Sequence, residues 1–436
     1  MISKYLNVLC EDKILKLSFH VLVIGSVFFF CKDTLAVENI ELSKKLELFD
    51  AIGIATSQHP EVISKNLLTQ SEQNKLESKK WERYPSLNVE TSRSPEGLNG
   101  NSYRIQVPVW DFGRISYDIE ASKSAIESSK YSTEDSKLKL QEKVINAFIA
   151  ISKLKEKIKV AETNILEHER LRGIIERRVQ SEINPLADLS LANTRLSQSL
   201  TEKSQYEALM ENNFLVLEEA TGTKVNDIYP LPKIKNIKNE EEILNLAVEF
   251  SPELKKLQAE LLKADHEISS KKSALIPRIV AKYEDITNPY TGFRFNQVAL
   301  VFVYDSGSGL SALSALDESK SKRESLKYSI DTVRRGLEED IKSKSRIGKI
   351  VGQQLINYKN YSETSSIVKD SYLRQFTIGK KNWIELLNAQ KEEIQSKYQF
   401  IDISWEEQQI IYHLFTYAGG SNYLKNYFKE LKENIK

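Results

Sequence analysis

The chain of 436 residues has little glycine and little proline, with 16 and 10 residues respectively. No proline occurs between Pro108 and Pro185, and none follows Pro289. Both residue types interrupt helices, so these gaps leave room for helices far longer than the globular average of about 11–12 residues. Lysine, glutamate, serine, leucine, isoleucine and alanine dominate instead. The composition therefore predicts a chain made mainly of long helices.

Cysteine and long apolar runs are confined to the N-terminal segment. Three lysines accompany an apolar run over residues 17–31, and Thr34 and Ala36 then supply small residues at a cleavage site. We predict a signal peptide over residues 1–36, cleaved after about Ala36; an uncleaved membrane anchor is the alternative. Because Cys10 and Cys31 both lie in this segment, the mature chain needs no disulfide.

The mature chain also has no excess of either charge. Cleavage removes four of 62 basic and three of 61 acidic residues, which leaves 58 of each. A neutral chain with dispersed charges lacks the basic surface that nucleic acid requires. No later stretch reaches 18 apolar residues, so no transmembrane helix is predicted. Such a chain is periplasmic, secreted or a β-barrel component of an outer membrane.

Motifs for catalysis and for metal binding are missing as well. The sequence shows no glycine-rich phosphate loop and no nucleophile motif. Its histidines beyond the signal segment are far apart, without the paired spacing of a metal site. We therefore predict no enzyme activity, no catalytic residue, no cofactor and no metal.

What the chain does have is an internal duplication. Four landmarks recur in the same order, at offsets that rise from 192 to 197 residues. The pairs are Pro60 and Pro252, Pro85 and Pro277, Asp111 and Asp305, and Asp188 and Glu385. A period this long exceeds that of solenoid repeats. It indicates a duplicated half-molecule whose two halves pack as similar units.

Each half contains a pair of segments in which apolar and polar residues alternate. Leu87, Val89 and Thr91 alternate with polar residues, and the returning segment alternates from Tyr103 to Val109. Residues 278–304 repeat the pattern less regularly, around a turn at residues 288–292. About 9–11 residues with one apolar face suit a tilted membrane strand. Four strands cannot close a membrane barrel alone, so the pattern requires an oligomer; a soluble four-stranded sheet is the alternative.

A long helix follows each strand pair, beginning near Asp111 and Asp305, whose side chains can cap free backbone N–H groups. The first helix carries apolar residues at alternating four- and three-residue steps, a coiled-coil pattern. These are Leu140, Val144, Ala147, Ile151, Leu154, Ile158, Ala161, Ile165 and His168. Turns at Pro185 and Gly379 reverse the two long helices into returning helices.

The predicted fold class is therefore α+β, mainly long α-helical coiled-coil hairpins with four membrane β-strands. The first repeat covers residues 37–222, with strands in 86–110 and a helical hairpin over 111–220. Residues 223–240 are predicted as a linker on the outside of the helical body. The second repeat covers residues 241–436, with strands in 278–304, a hairpin over 305–418 and a C-terminal segment.

The mature chain resembles the TolC family of outer-membrane efflux and secretion channels. The resemblance rests on three features: the duplicated proline positions, the two strand-to-helix junctions and the turn of the second half. The junctions are Val107-Pro108-Val109-Trp110-Asp111-Phe112-Gly113 and Val303-Tyr304-Asp305-Ser306-Gly307. The turn is Phe376-Thr377-Ile378-Gly379, followed by Trp383-Ile384-Glu385-Leu386-Leu387-Asn388-Ala389-Gln390. It implies a homotrimer that shares a twelve-stranded β-barrel in outer-membrane lipid and forms an α-helical tunnel through the periplasm of a Gram-negative bacterium.

The resemblance also implies partners and a function. A periplasmic adaptor protein and an inner-membrane pump of the RND, ABC or MFS type would feed the channel with small molecules or, in type I secretion, with polypeptide. No nucleic acid is expected. The alternative is a periplasmic coiled-coil adaptor or scaffold, which would explain the hairpins but not four strands of membrane length.

By position in the family motif, Glu385, Asn388 and Asp188 narrow the periplasmic end of the tunnel. Asn388 is neutral where an acidic residue is common, which weakens an acidic ring and its preference for cations. Phe376 occupies the place of a latching tyrosine, and Lys381 keeps a basic charge. We expect Lys381 to pair with Asp188 in the closed state. Glu182, Pro185 and Gly379 are the expected adaptor contacts, with Glu182 standing where glycine is usual.

Overall fold

The computed structural model describes residues 45–93, 95, 99–234, 239–288, 290–304 and 307–433. The predicted signal peptide and Asp305 lie outside these residues. The first half comprises α1 (Leu48–Gln58), α2 (Pro60–Trp81), β1 (Ser86–Arg93), β2 (Asn99–Trp110), α3 (Arg114–Gln180) and α4 (Leu186–Thr221). The second half comprises α5 (Glu240–Phe250), α6 (Pro252–Ala274), β3 (Arg278–Thr287), β4 (Arg294–Val303), α7 (Ser311–Thr377) and α8 (Trp383–Glu433).

The order of elements confirms the duplication, because each half runs helix, helix, strand, strand, long helix, returning helix. Both predicted proline starts are also confirmed. Pro60 and Pro252 occupy the first turns of α2 and α6, where a missing N–H costs nothing. The preceding side chains cap these helices, since His59 accepts from the Glu61 N–H and Ser251 from the Leu254 N–H.

The two longest helices, α3 and α7, have 67 residues each and therefore extend about 100 Å. In α3 the predicted coiled-coil seam is buried at every position except Ile158, which is half-buried. α3 packs against α4, α6 and α8, so it is the central helix of the described chain. α7 packs against α6 and α8 and has fewer buried residues, as its more polar seam predicts.

The start of α7 differs from the prediction. The helix begins at Ser311, six residues after the expected aspartate, because Gly307 and Gly309 both adopt positive φ angles that a helix does not permit. The start of α3 is closer to the prediction. Its first residue is Arg114, and the Asp111 carboxylate accepts from the backbone N–H groups of Gly113 and Ile115 at 3.0 and 2.7 Å.

The largest apolar core lies beside the middle of α3. It joins α1, the end of α4, the C-terminal part of α8 and the segment after α4. This segment was predicted as an outside linker, yet four of its apolar side chains are buried in the core: Val225, Ile228, Leu231 and Ile234. A backbone bridge between Leu46 and Ile228 adds to this attachment. The segment is therefore part of the core rather than a loose connection.

The C-terminal part of α8 folds back at Gly419 and Gly420, whose backbone angles are not helical. A Cβ atom at Gly420 would come within 3.1 Å of the side-chain oxygen Oε1 of Gln141, which also accepts a hydrogen bond from the Ser421 N–H. Beyond this kink, Tyr427 packs edge-on against Phe415. The bend thus returns the C-terminal segment onto the core, near the predicted hairpin boundary at residue 418.

The four strands form one antiparallel sheet in the order β1-β2-β3-β4. Each strand pairs with its neighbour in sequence, and a register shift occurs between Pro108 and Trp110. Among the described residues, β1 and β4 each have one partner strand, so the described sheet has two open edges. None of the described helices is both long enough and apolar enough to cross a bilayer.

Candidate functional site

The sheet separates its apolar and polar side chains onto opposite faces. One register row across all four strands contains Leu87, Ile105, Tyr283 and Val298. We name it the apolar row. The next row, one residue along each strand, contains Asn88, Arg104, Glu284 and Gln297, and we name it the polar row. Because side chains alternate along a strand, the two rows point to opposite faces.

The apolar face is exposed in the single chain. Val298 is 80% exposed, and further along β4 Leu300 and Phe302 are 69% and 73% exposed on the same face. Water-soluble monomers rarely leave so large an apolar surface uncovered. The face therefore requires a cover of lipid or protein, which the residues that the structure describes do not provide.

The polar face carries an ion-pair cluster around a buried carboxylate. Glu284 is 6% exposed and accepts from Arg104 at 2.7 Å and from Gln297 at 3.1 Å. Lys282 lies 2.5 Å from the same carboxylate. A buried carboxylate is tolerated where cations and amides surround it in this way. The cluster ties β2, β3 and β4 together on the face opposite the apolar row.

The hairpin turns form two structurally equivalent tips. We name residues 178–188 the first tip and residues 375–385 the second tip. In the first, the Ile183 N–H donates to the Arg178 carbonyl and the Glu182 N–H to the Val179 carbonyl. In the second, the Lys380 N–H donates to Gln375 and the Gly379 N–H to Phe376. Both patterns are Schellman caps, in which the residue after the cap has a left-handed conformation.

Glu182 and Gly379 occupy this left-handed position, with φ angles of 57° and 76°. The first tip thus has a glutamate where the second tip has a glycine. Glycine adopts this conformation freely, whereas a residue with a Cβ pays about 1–2 kcal/mol. The first tip therefore holds backbone strain that the second tip does not.

We predict that Glu182→Gly stabilises the first tip by up to about 1 kcal/mol, because the relief of strain exceeds the added backbone entropy. Gly379→Ala, where a Cβ would meet no neighbour within 4 Å, should destabilise the second tip by a similar amount. Amide hydrogen exchange at the two tips measures both effects. Slower exchange in Gly379→Ala would contradict the assignment of strain to the φ angle.

Glu385 has a structural partner for each of its oxygens. Its Oε1 lies 2.7 Å from the Lys381 ammonium, and its Oε2 accepts from the Asn382 N–H at 3.2 Å. The Asn382 side chain in turn accepts from the Glu385 N–H at 2.8 Å. This reciprocal arrangement is a capping box at the start of α8. The ammonium first, and then the backbone N–H, lower the pKa of the Glu385 carboxyl.

Lys381 and Asp188 do not meet within the single chain. The Asp188 carboxylate accepts a hydrogen bond from the side-chain NH₂ of Asn184 at 2.7 Å. The side-chain oxygen Oδ1 of Asn184 in turn accepts from the Arg178 guanidinium at 2.7 Å. Lys381 pairs instead with Glu385 and lies 4.5 Å from the centre of the Tyr372 ring. A pairing of Lys381 with Asp188 therefore needs a neighbouring copy of the chain.

Phe376 is an internal residue that joins the two tips. It is 3% exposed, packs against Trp383 with ring centres 5.7 Å apart, and has the Arg178 guanidinium 4.9 Å from its ring centre. It belongs to a cluster of buried residues from α3, α4, α7 and α8, here called the tip core: Leu171, Ile175, Ala192, Phe376, Trp383, Leu386 and Leu387. The sequence had no signal for the contact with Arg178, which lies on the other hairpin.

The remaining predicted site residues are at the surface of the tips. Asn388 is exposed, and Pro185 precedes the first residue of α4. Apolar side chains beside them are also exposed, with Ile183 at 64% and Ile378 at 66%. The capping box could have been found from the sequence, because Asn-x-x-Glu before an apolar run is its signature.

Comparison with known proteins finds relatives by structure alone. No protein-family model and no curated protein matches the sequence. Among solved structures, the transmembrane channel protein CusC is 14% identical with a TM-score of 0.75, over 86% of this chain and 92% of its own. The outer-membrane channel CmeC of Campylobacter jejuni is 13% identical with a TM-score of 0.71, over 88% and 89%.

The outer-membrane channel MtrE of Neisseria gonorrhoeae, solved in its open state, is 14% identical with a TM-score of 0.70, over 86% of this chain and 89% of its own. At such low sequence identities, the structural similarity establishes the fold of this chain. The predicted fold class and the resemblance to TolC-family channels are thereby confirmed at the level of the fold. The solved neighbours are channels, which agrees with the prediction that the chain is not an enzyme.

Proposed function

We propose that three copies of this chain form a channel through an outer membrane, with their hairpins forming a tunnel across the periplasm. The observation that carries the proposal is the sheet, with one exposed apolar face, one polar face and two open edges. Open edges are not stable in lipid, so β1 of one copy must pair with β4 of the next. Three copies then supply twelve strands, within the range of membrane barrels.

The polar row faces the water-filled lumen in this arrangement, and the apolar row faces lipid. The helices α3 and α7 follow the strands β2 and β4, and together with the returning helices α4 and α8 they form the wall of the tunnel. The fold shared with CusC, CmeC and MtrE supports this assignment. The chain would conduct cargo rather than transform it.

Fractionation and planar-bilayer recording test the proposal together. The protein should separate with outer membranes, migrate as a trimer that resists SDS, and give single-channel conductance when purified. A monomer that stays in the soluble periplasmic fraction would overturn the proposal. That result would favour the second candidate, a periplasmic coiled-coil adaptor or scaffold, although its apolar sheet face would then lack a cover.

The tips are proposed to contact a periplasmic adaptor and so to reach an inner-membrane pump. Both tips present exposed apolar side chains beside their turns, including Ile183 and Ile378, and the turn residues Glu182, Pro185 and Gly379 lie next to them. Cross-linking from cysteines placed at these two isoleucines, followed by identification of the captured proteins, tests the contact and names the pump. If neither cysteine captures a protein, the tips are not the docking surface for an adaptor.

The tips are also proposed to close the tunnel. Glu385, Asn388 and Asp188 would face the axis, with Lys381 bonded to Glu385 in its own chain and within reach of a neighbouring copy. The Lys381–Glu385 pair reduces the field of an acidic ring, beyond the reduction expected from the neutral Asn388. The tip should therefore select weakly for cations.

We predict that Lys381→Glu raises the leak conductance of the closed channel several-fold. The change removes the pair with Glu385, the contact with the Tyr372 ring and any bond to a neighbouring copy, and it places two carboxylates one helical turn apart. Lys380→Glu, which makes the same charge change at the adjacent exposed residue, is the control. Equal leak in both variants would show that Lys381 has no particular role in closure.

A further inference from the structure

A cavity of about 240 Å³ lies between α3, α4 and α8, on the side of the tip core away from the turns. His168 of α3 is one of its lining residues. Arg195 and Gln198 of α4 line one wall, and Lys391 and Gln395 of α8 line the other. The cavity therefore brings together side chains from both hairpins, at a place that the proposed channel function does not use.

His168 is buried and polar, with its imidazole facing this cavity. It is 8% exposed, and within the described part of the chain neither ring nitrogen has a hydrogen-bond partner. Burial, and secondarily the charge of Arg195, lower the pKa of His168 to about 4. The ring is therefore neutral at ordinary pH, with one N–H to donate. A buried polar group without a partner is unusual and calls for a ligand or water.

Most acceptors around the cavity already have donors. The Asn164 carbonyl oxygen accepts from Gln390 at 3.1 Å, while its amide donates to Ser199 at 3.1 Å. The Glu202 carboxylate accepts from the hydroxyls of Tyr206 and Tyr398 at 3.3 and 3.4 Å. The Asn164 amide is thus paired at both its oxygen and its nitrogen, and two hydroxyl donors occupy part of the acceptor capacity of Glu202.

The donors, in contrast, are only partly used. The Arg195 guanidinium gives one N–H to the Gln198 carbonyl oxygen at 3.0 Å and keeps others for a ligand. Lys391, on the opposite wall, has no carboxylate partner among the residues that the structure describes. Two cations, one from α4 and one from α8, and a neutral imidazole N–H from α3 form a donor set that matches oxygen-bearing anions.

We propose that this cavity binds a small oxyanion, either a carboxylate or a phosphate, held by Arg195, Lys391 and His168. The volume is below that of ordinary drug-sized pockets, which restricts the ligand to a few non-hydrogen atoms. A ligand held from both walls connects α4 of the first hairpin to α8 of the second. Its binding therefore stiffens the contact between hairpins directly beside the tip core.

Isothermal titration calorimetry of the full-length purified protein tests the site with two probes, inorganic phosphate and succinate, at low ionic strength. We expect one of them to bind once per chain. Heat with phosphate identifies a phosphate site and heat with succinate a carboxylate site. Absence of saturable binding with both probes overturns the proposal.

The doubly substituted variant Arg195→Gln/Lys391→Gln should weaken the binding at least about tenfold, because it removes both charge-assisted bonds. The control is Arg172→Gln, which removes an exposed charge from α3 one turn beyond His168. An equal loss in this control overturns the proposal by showing that general surface charge attracts the anion.

His168→Phe and His168→Asn separate a binding role from a packing role. Phenylalanine fills the space without a donor and should abolish binding, whereas asparagine retains an N–H and should keep part of it. Circular dichroism confirms that both variants are folded. Unchanged affinity in a folded His168→Phe variant contradicts the part assigned to the imidazole.

Discussion

Leu300→Lys on β4 is expected to prevent stable insertion of the trimer into an outer membrane. Leu300 is 69% exposed and pairs with Ala281 on the apolar face of the sheet. A lysine on the lipid face of a membrane barrel costs about 2–4 kcal/mol near the middle of the bilayer. Three copies per trimer multiply this cost. The SDS-resistant trimer should be lost, and the protein should leave the outer-membrane fraction.

Ala299→Lys is the matched control for this experiment. Ala299 is the adjacent residue on the same edge strand, opposite Lys282, and points to the polar face. A lysine there extends into the proposed lumen and should preserve trimer and membrane location, with a shift in ion selectivity toward anions. The two variants have the same charge and nearly the same position. A difference between them therefore reports which face contacts lipid.

The opposite result would be equally informative. If Leu300→Lys inserts normally while Ala299→Lys does not, the lumen and lipid faces are assigned the wrong way round. If both insert and conduct, the sheet does not contact lipid at all, and the barrel proposal fails.

Phe376→Ala is expected to destabilise the contact between the two hairpin tips by about 3–5 kcal/mol. The aromatic ring is 3% exposed, and its removal leaves a cavity beside Trp383 and takes away the surface on which the Arg178 guanidinium lies. Arg178 also positions Asn184, which holds Asp188. Faster hydrogen exchange at both tips and a raised leak conductance should follow.

Ile378→Ala provides the comparison at the same tip. Ile378 is 66% exposed and lies two residues further along the turn, so its truncation should change exchange and leak very little. Similar effects in both variants would mean that the tip core does not hold the hairpins together. A double-mutant cycle of Phe376→Leu with Arg178→Gln then measures the cation–ring contact, expected at about 0.5–1 kcal/mol.

Local patterns in the sequence predicted most of the elements correctly. The period of seven in α3 identified its buried face, and the alternation in β1 and β2 identified the two faces of the sheet. Pro85 and Pro277, one of the landmark pairs, follow the ends of α2 and α6, because proline restricts the residue before it. The aromatic residues Tyr398, Trp405 and Tyr412 recur every seven residues along α8 and are buried.

Contacts between distant segments were not predictable in the same way. The segment after α4 was expected on the outside because of its lysines and prolines, yet four of its apolar side chains occupy the core. Its burial depends on which surfaces meet after folding, and a spacing in that segment carries no information about the surfaces that cover it. The pair that Lys381 forms with Glu385 is local, four residues along the chain, and its pairing with Asp188 of a neighbouring copy stays a prediction.

The sequence by itself determined the duplication, most of the helix and strand positions and the place of the turn at each tip, because these follow from backbone preferences and side-chain periodicity over short distances. Tertiary structure decided the rest. It placed Arg178 over Phe376, surrounded Glu284 with Arg104 and Lys282, and brought His168, Arg195 and Lys391 to one cavity. Each of these sites combines residues from separate helices or strands, and packing fixes such combinations only when the elements assemble.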